Sequence, residues 1–136
     1  MDWKECKDKR LVKDISLDKN LIYSLVDSSR KKLESNERLD LDDTTASSKV
    51  SLAYDSLREI LEALAIRKGF KVYNHECFSC FLHEVCNERF FAGEFDKFRK
   101  IRNQINYYGK DLSPKEAKLI IIGILKLRED LTKKYF

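Results

Sequence analysis

Arg99 and Arg102, with the amides of Asn103 and Asn106, recur over a short stretch near the carboxyl end of a 136-residue chain. Guanidiniums offer planar, paired donors and amides both donate and accept, so this set of residues suits a phosphate or a ribose. At roughly 100° per residue, Phe95, Phe98, Ile101, Ile105 and Tyr108 form one apolar stripe, and Arg99, Arg102 and Asn106 lie together beside it with Asn103 adjacent. The spacing therefore predicts a helix whose edge carries the chemistry and whose face is core. Tyr107 points away from the stripe. With Tyr73, it is a candidate platform for stacking a nucleobase.

A second cluster, Cys77, Cys80, His83 and Cys86, with His75 just ahead, has the residue types of a metal site. Ligands three apart on a regular helix rotate through about 180° in total, so they cannot converge on one tetrahedral ion. No Gly or Pro interrupts the run, and the remaining cysteine, Cys6, is distant in sequence. The cysteines are therefore expected to be reduced thiols packed as small apolar groups, with no metal, and His83 to lie at the surface. A Cys77–Cys80 redox pair is a weaker alternative.

The elements that must position these groups are helices. With 43% hydrophobic and 37% charged residues, four Gly and one Pro, the composition suits a single helix-rich domain over 1–136. Residues 1–12 are a charged lead-in with Trp3 as its one core anchor. A first amphipathic helix is predicted over 16–36 and a loop over 37–48, where Ser47 or Ser48 caps a second, strongly periodic helix that ends before Gly69. That second helix should be the central packing element. A third runs from Asn74 or His75 to about Asn87, after which Phe90-Phe91-Ala92-Gly93 turns the chain. The helix bearing the arginines follows over 94–108, closed by Gly109. Ser113-Pro114-Lys115-Glu116 combines a capping box with Pro at the first helical position and opens the last helix, within which Gly123 is either a tolerated cost or a point of close helix approach. No strand alternation is visible. The expected architecture is all-α, a bundle of about five antiparallel helices joined by short connections.

The run Arg102-Asn103-Gln104-Ile105-Asn106-Tyr107-Tyr108-Gly109, within this order of helices, resembles the HEPN superfamily (higher eukaryotes and prokaryotes nucleotide-binding domain), in particular its small archaeal and bacterial single-domain members. Arg102-Asn103 matches the opening of that family's motif. The family's His falls at Asn106 or Tyr107, and neither is an imidazole. The resemblance implies a homodimer that brings two motifs into one cleft, RNA or nucleotide as ligand, no metal or other cofactor, and often a separate small nucleotidyltransferase as partner in a toxin-antitoxin module. It also implies that Arg102, Asn103, Asn106 and Tyr107 would be the catalytic set if the chain is active, and that Arg99, Arg102 and Asn103 would hold the phosphate. Asn cannot titrate, and tyrosine's usual pKa near about 10 makes Tyr107 a poor base, so cleavage is expected to be weak or absent. An active metal-independent endoribonuclease and a non-enzymatic dimerisation scaffold are the alternatives.

Lys and Arg outnumber Asp and Glu by 27 to 23, a formal charge of +4 that permits polyanion binding without requiring it. Lys126, Arg128, Lys133 and Lys134 could extend a basic surface along the last helix. With no long apolar run and no secretory signal pattern, the sequence reading expects no membrane partner and a cytoplasmic location.

Overall fold

A computed structural model describes residues 1–136. The element order is α1 (Trp3–Asp8), β1 (Val12–Asp14), α2 (Lys19–Arg38), α3 (Ala46–Arg67), β2 (Phe70–Val72), α4 (Glu76–Cys80) with a π-helical turn over Phe81–Val85, α5 (Arg89–Tyr108) and α6 (Pro114–Tyr135). The architecture is all-α, with six helices and one small sheet.

Helix α3 is central, as its periodicity requires. Val50, Ala53, Tyr54, Leu57, Ile60, Leu61 and Leu64 are fully enclosed, and apolar residues fall on almost every side of the helix. Such a helix must be covered all round. Helix α2 covers one side antiparallel to it, with Ile22 near Ala63 and Ile66 at one end and Lys49 Nζ bonded to the carbonyl of Asn36 at 2.6 Å at the other. Helix α5 runs antiparallel to α3 on another side, where the rings of Tyr54 and Phe95 stack with centroids 5.7 Å apart. Helix α6 completes the cover. A Cβ added at Gly123 would sit 2.9 Å from the Phe98 ring, so this glycine is the point of close approach between α5 and α6.

Several local signals behave as the sequence requires. Ser113 and Glu116 form the reciprocal capping box, with Glu116 N–H donating to Ser113 Oγ at 3.1 Å. Gly109 ends α5 at φ 64°, a left-handed conformation that glycine adopts without steric cost.

Other boundaries shift. Helix α3 starts earlier, with Thr45 as its cap residue, because Asp42 accepts the N–H groups of Thr44 and Thr45 at 2.9 and 3.0 Å and ends the loop there. Ser47, expected to be a cap, lies inside the first turn and accepts from Leu112 N–H at 3.2 Å, tying the α5–α6 connection to α3. Phe90-Phe91-Ala92-Gly93 is the first turn of α5 rather than a loop, since Ala92 N–H already donates to Glu88 O at 2.9 Å. Tyr108, expected in the core, is 83% exposed, because the last turn of α5 projects past the body.

The lead-in is the largest departure. It folds as α1 and β1, and β1 pairs antiparallel with β2 in the register Val12–Val72, Lys13–Lys71, Asp14–Phe70. Trp3 does anchor it, meeting the Phe70 ring edge-on at 5.1 Å between centroids. The cysteines also depart from expectation: Cys6 and Cys77 form a disulfide, with Cα atoms 6.0 Å apart, so they are not free thiols, and Cys77 does not pair with Cys80. The sequence separation that argued against Cys6 is bridged by the sheet, which lays α1 against α4. No helix is long and apolar enough to cross a membrane.

Candidate functional site

Arg99, Arg102, Asn103 and Tyr107 line one pocket of about 380 Å³ whose opposite wall is Tyr73, Asn74, His75 and Glu76. One wall is the edge of α5. The other is the short segment between β2 and α4, which the disulfide and the small sheet hold in place.

The two arginines differ in how their charge is met. Arg99 is committed: its Nε and Nη2 donate to Asp96 Oδ1 at 2.9 and 2.8 Å, and its side chain is only 13% exposed. Burial alone would raise the Asp96 carboxyl, but Arg99 and Lys100 outweigh it and hold it below its ordinary value. Arg102 makes no ion pair. With the Asn106 amide turned so that its oxygen faces the guanidinium, Arg102 Nε and Nη2 donate to it at 2.9 and 3.2 Å. Ser51 Oγ lies 3.4 Å from the other amide atom. The guanidinium carbon is 5.6 Å from the Tyr54 ring centroid and 5.9 Å from that of Tyr107. These contacts are electrically neutral, so they fix the fork without cancelling its charge.

Asn106 therefore stands behind Arg102 as its support and lines a separate groove with Ser47, Ser51 and Asp55 instead of the pocket. Tyr73 and Tyr107 are 55% and 70% exposed on the pocket's two walls. Nothing in this chain matches a known family model, a curated protein or a solved structure. The site therefore has to be read from its own geometry.

Sequence reasoning grouped His75 with the cysteine run and missed its place in this pocket. Its Nδ1 lies 3.0 Å from the hydroxyl of Tyr54, which is buried on α3. Burial raises the Tyr54 phenol far above its ordinary value, so it stays protonated. Burial, then the positive fields of Arg58 and Arg102, push His75 down to about 4. The imidazole is thus neutral near pH 7. In the sequence it stands just ahead of the cysteine–histidine run and one residue before a helix, and neither position links it to Arg102.

The cysteine–histidine run does not converge on the pocket. Cys77 is in the disulfide, Cys80 is buried with its thiol on the carbonyl of Met1 at 3.3 Å, and burial pushes the half-buried Cys86 up to about 11. His83 is exposed on the π-helical turn. The basic face expected on α6 is largely occupied. Lys126 pairs with Asp130 at 3.0 Å, Lys133 with Glu129 at 2.8 Å and Lys134 with Glu88, while Arg128 turns inward to donate to Ser29 Oγ at 3.0 Å.

Proposed function

We propose that this chain is a HEPN-like domain that binds the phosphate of RNA or a nucleotide in the Arg102 pocket and cleaves it weakly if at all. The observation that carries this reading is Arg102: a cationic fork held by neutral partners, without a carboxylate, at a pocket flanked by two exposed tyrosines. A buried or half-buried cation that lacks an internal counter-ion is available to an anionic ligand, and desolvated pairing of that kind is stronger than a surface ion pair. Asn103 adds an amide, and Arg99 adds field while its own contacts go to Asp96.

Dimerisation through the α5 edge, and a separate nucleotidyltransferase as partner in a toxin-antitoxin module, belong to the same proposal and rest on the motif resemblance. The weak-cleavage element rests on chemistry. Attack by a ribose 2′-hydroxyl needs a group that exchanges a proton near pH 7, and Asn106 and Tyr107 do not supply one.

Fluorescence anisotropy of a labelled single-stranded RNA tests the binding, with the same RNA incubated in EDTA and run on a denaturing gel to test cleavage. Arg102→Ala should weaken binding about tenfold or more, corresponding to about 1.5–3 kcal/mol for a charge-assisted contact, while moving the melting temperature little. Binding that is weak in the wild type, or equal in the variant, removes the reading. Rapid Arg102-dependent cutting in EDTA would favour the endoribonuclease instead.

A further inference from the structure

We infer that His75 is the second anion contact of the pocket, a neutral imidazole that donates through Nε2 to a phosphodiester held by Arg102 and accepts a proton more readily once that anion is bound. This rests on the reading of the pocket as a phosphate site and adds the residue and the charge state of the ligand.

The tautomer follows from the hydrogen bonding. The Tyr54 hydroxyl has His75 Nδ1, 3.0 Å away, as its one hydrogen-bond partner. If Nδ1 carried the proton, the buried phenolic O–H would be left without an acceptor, which costs about 1–3 kcal/mol. The phenol therefore donates to Nδ1, and the imidazole proton resides on Nε2. Nδ1 is occupied on the α3 side, which leaves Nε2 for the pocket that His75 lines with Arg102 and Asn103. Near pH 7 Nε2 carries a proton and Nδ1 accepts from the phenol, so neither nitrogen offers the pocket a base and His75 contributes binding without restoring the proton acceptor that the motif lacks; at lower pH the added proton goes to Nδ1, which then donates to the Tyr54 oxygen.

The local charge selects a monoanion. Arg99 is neutralised by Asp96, and the Glu76 carboxylate stands in the same pocket wall, so Arg102 is the one lining cation free of an ion pair. A phosphodiester carries one charge and presents a base on each side, where Tyr73 and Tyr107 are exposed. A terminal phosphate monoester carries nearly two charges, and with one unpaired cation in the lining its second charge would be desolvated beside Glu76 without a partner.

Proton linkage follows from the groups around the ring. Arg58, Asp55 and Glu62 of α3 and Arg102 of α5 act on His75, with Glu76 next to it in the chain. In the free protein burial and the two arginines oppose protonation. A bound monoanion offsets the Arg102 field, so the imidazole's midpoint rises on binding, and by reciprocity binding tightens as pH falls.

The chain has two histidines, and exposed His83 serves as an internal reference. Their ring proton signals, assigned with His75→Gln and His83→Gln, are followed against pH with and without the dinucleotide dTpdT, whose phosphodiester stays a monoanion throughout. The His75 midpoint should rise by about one pH unit on saturation while that of His83 stays in place, and the dissociation constant should tighten about threefold from about pH 7 to about pH 4.5. His75→Gln should keep binding near pH 7, since its amide still donates, and lose the pH dependence. His75→Ala should weaken binding about fivefold to tenfold. The monoester dTMP should bind more weakly than dTpdT. An Arg102-dependent dTpdT site with an unmoved His75 signal and no effect of His75→Ala overturns this inference and leaves the phosphate reading standing. Absence of dTpdT binding at every pH overturns both.

Discussion

The two walls of the pocket come from regions held together by different means. The α5 wall belongs to a helical body in which apolar residues at helical spacing surround α3 and bury most of its apolar side chains. The opposite wall belongs to a thin edge, α1, β1, β2 and α4, made of elements three to six residues long. Elements so short are not stable alone, and this edge is fixed by one disulfide, a three-pair ladder and the ring of Trp3 against Phe70 and Phe81. The body positions Arg102, while the edge positions His75. A site divided this way can lose one wall and keep the other, which is what variants should reveal.

Breaking the disulfide should give the largest effect on stability. Cys6→Ser removes a cross-link between residues 71 apart in sequence, for which chain entropy predicts a loss of about 4 kcal/mol. Chemical denaturation measures the loss. Amide exchange should show α1, β1, β2 and the start of α4 opening below the global transition in the variant, while α3 and α5 fall only by the global loss; equal protection throughout would mean that edge and body are one cooperative unit.

Gly123→Ala strikes the body instead. Ala favours a helix by about 1 kcal/mol, but its Cβ would lie 2.9 Å from the Phe98 ring, and overpacking of that kind costs about 1–3 kcal/mol. The net expectation is a loss of roughly 1 kcal/mol, read as a lower denaturation midpoint with an unchanged slope. A gain in stability would show that α5 and α6 separate easily and that the body is less rigid than its packing suggests.

The same division explains what could be read from the sequence. Helices α2, α3, α5 and α6 each run twenty residues or more, long enough for apolar spacing and caps to specify them, and Arg99, Arg102, Asn103 and Tyr107 were found on that basis. Strands of three residues carry no readable alternation, so β1 and β2 were invisible, and with them the contact that brings Cys6 to Cys77. Of that wall, Tyr73 was singled out as a possible stacking ring and His75 only as a neighbour of the cysteine run. Asn106 was placed on the right helix edge, but its contact with Arg102 was not legible, since projection around an axis does not show which of two neighbouring groups holds the other. Arg128 was read as surface for the same reason, although a hydroxyl on α2 draws it inward.

The smallest expected effect is on pH dependence. The native imidazole of His75 resists protonation down to about 4, whereas an unfolded histidine takes a proton near about 6.5. Across that window the unfolded chain holds the extra proton, so stability falls as pH falls, by about 1 kcal/mol once solvent screening of a half-exposed ring is allowed for. Denaturation at about pH 6.5 and about pH 5 should show a shallower slope for His75→Gln than for the wild type. Equal slopes would place the ring in solvent and detach it from Tyr54.

Arg102 makes no ion pair, whereas its neighbour Arg99 is paired with Asp96. Anisotropy titrations of a labelled single-stranded RNA with Arg102→Ala and Arg99→Ala, at two salt concentrations, test this directly. Arg102→Ala should lose about tenfold or more in affinity and lower the salt dependence by about one counter-ion, and Arg99→Ala should lose only a few-fold. Equal losses in the two variants, or none in either, would contradict it.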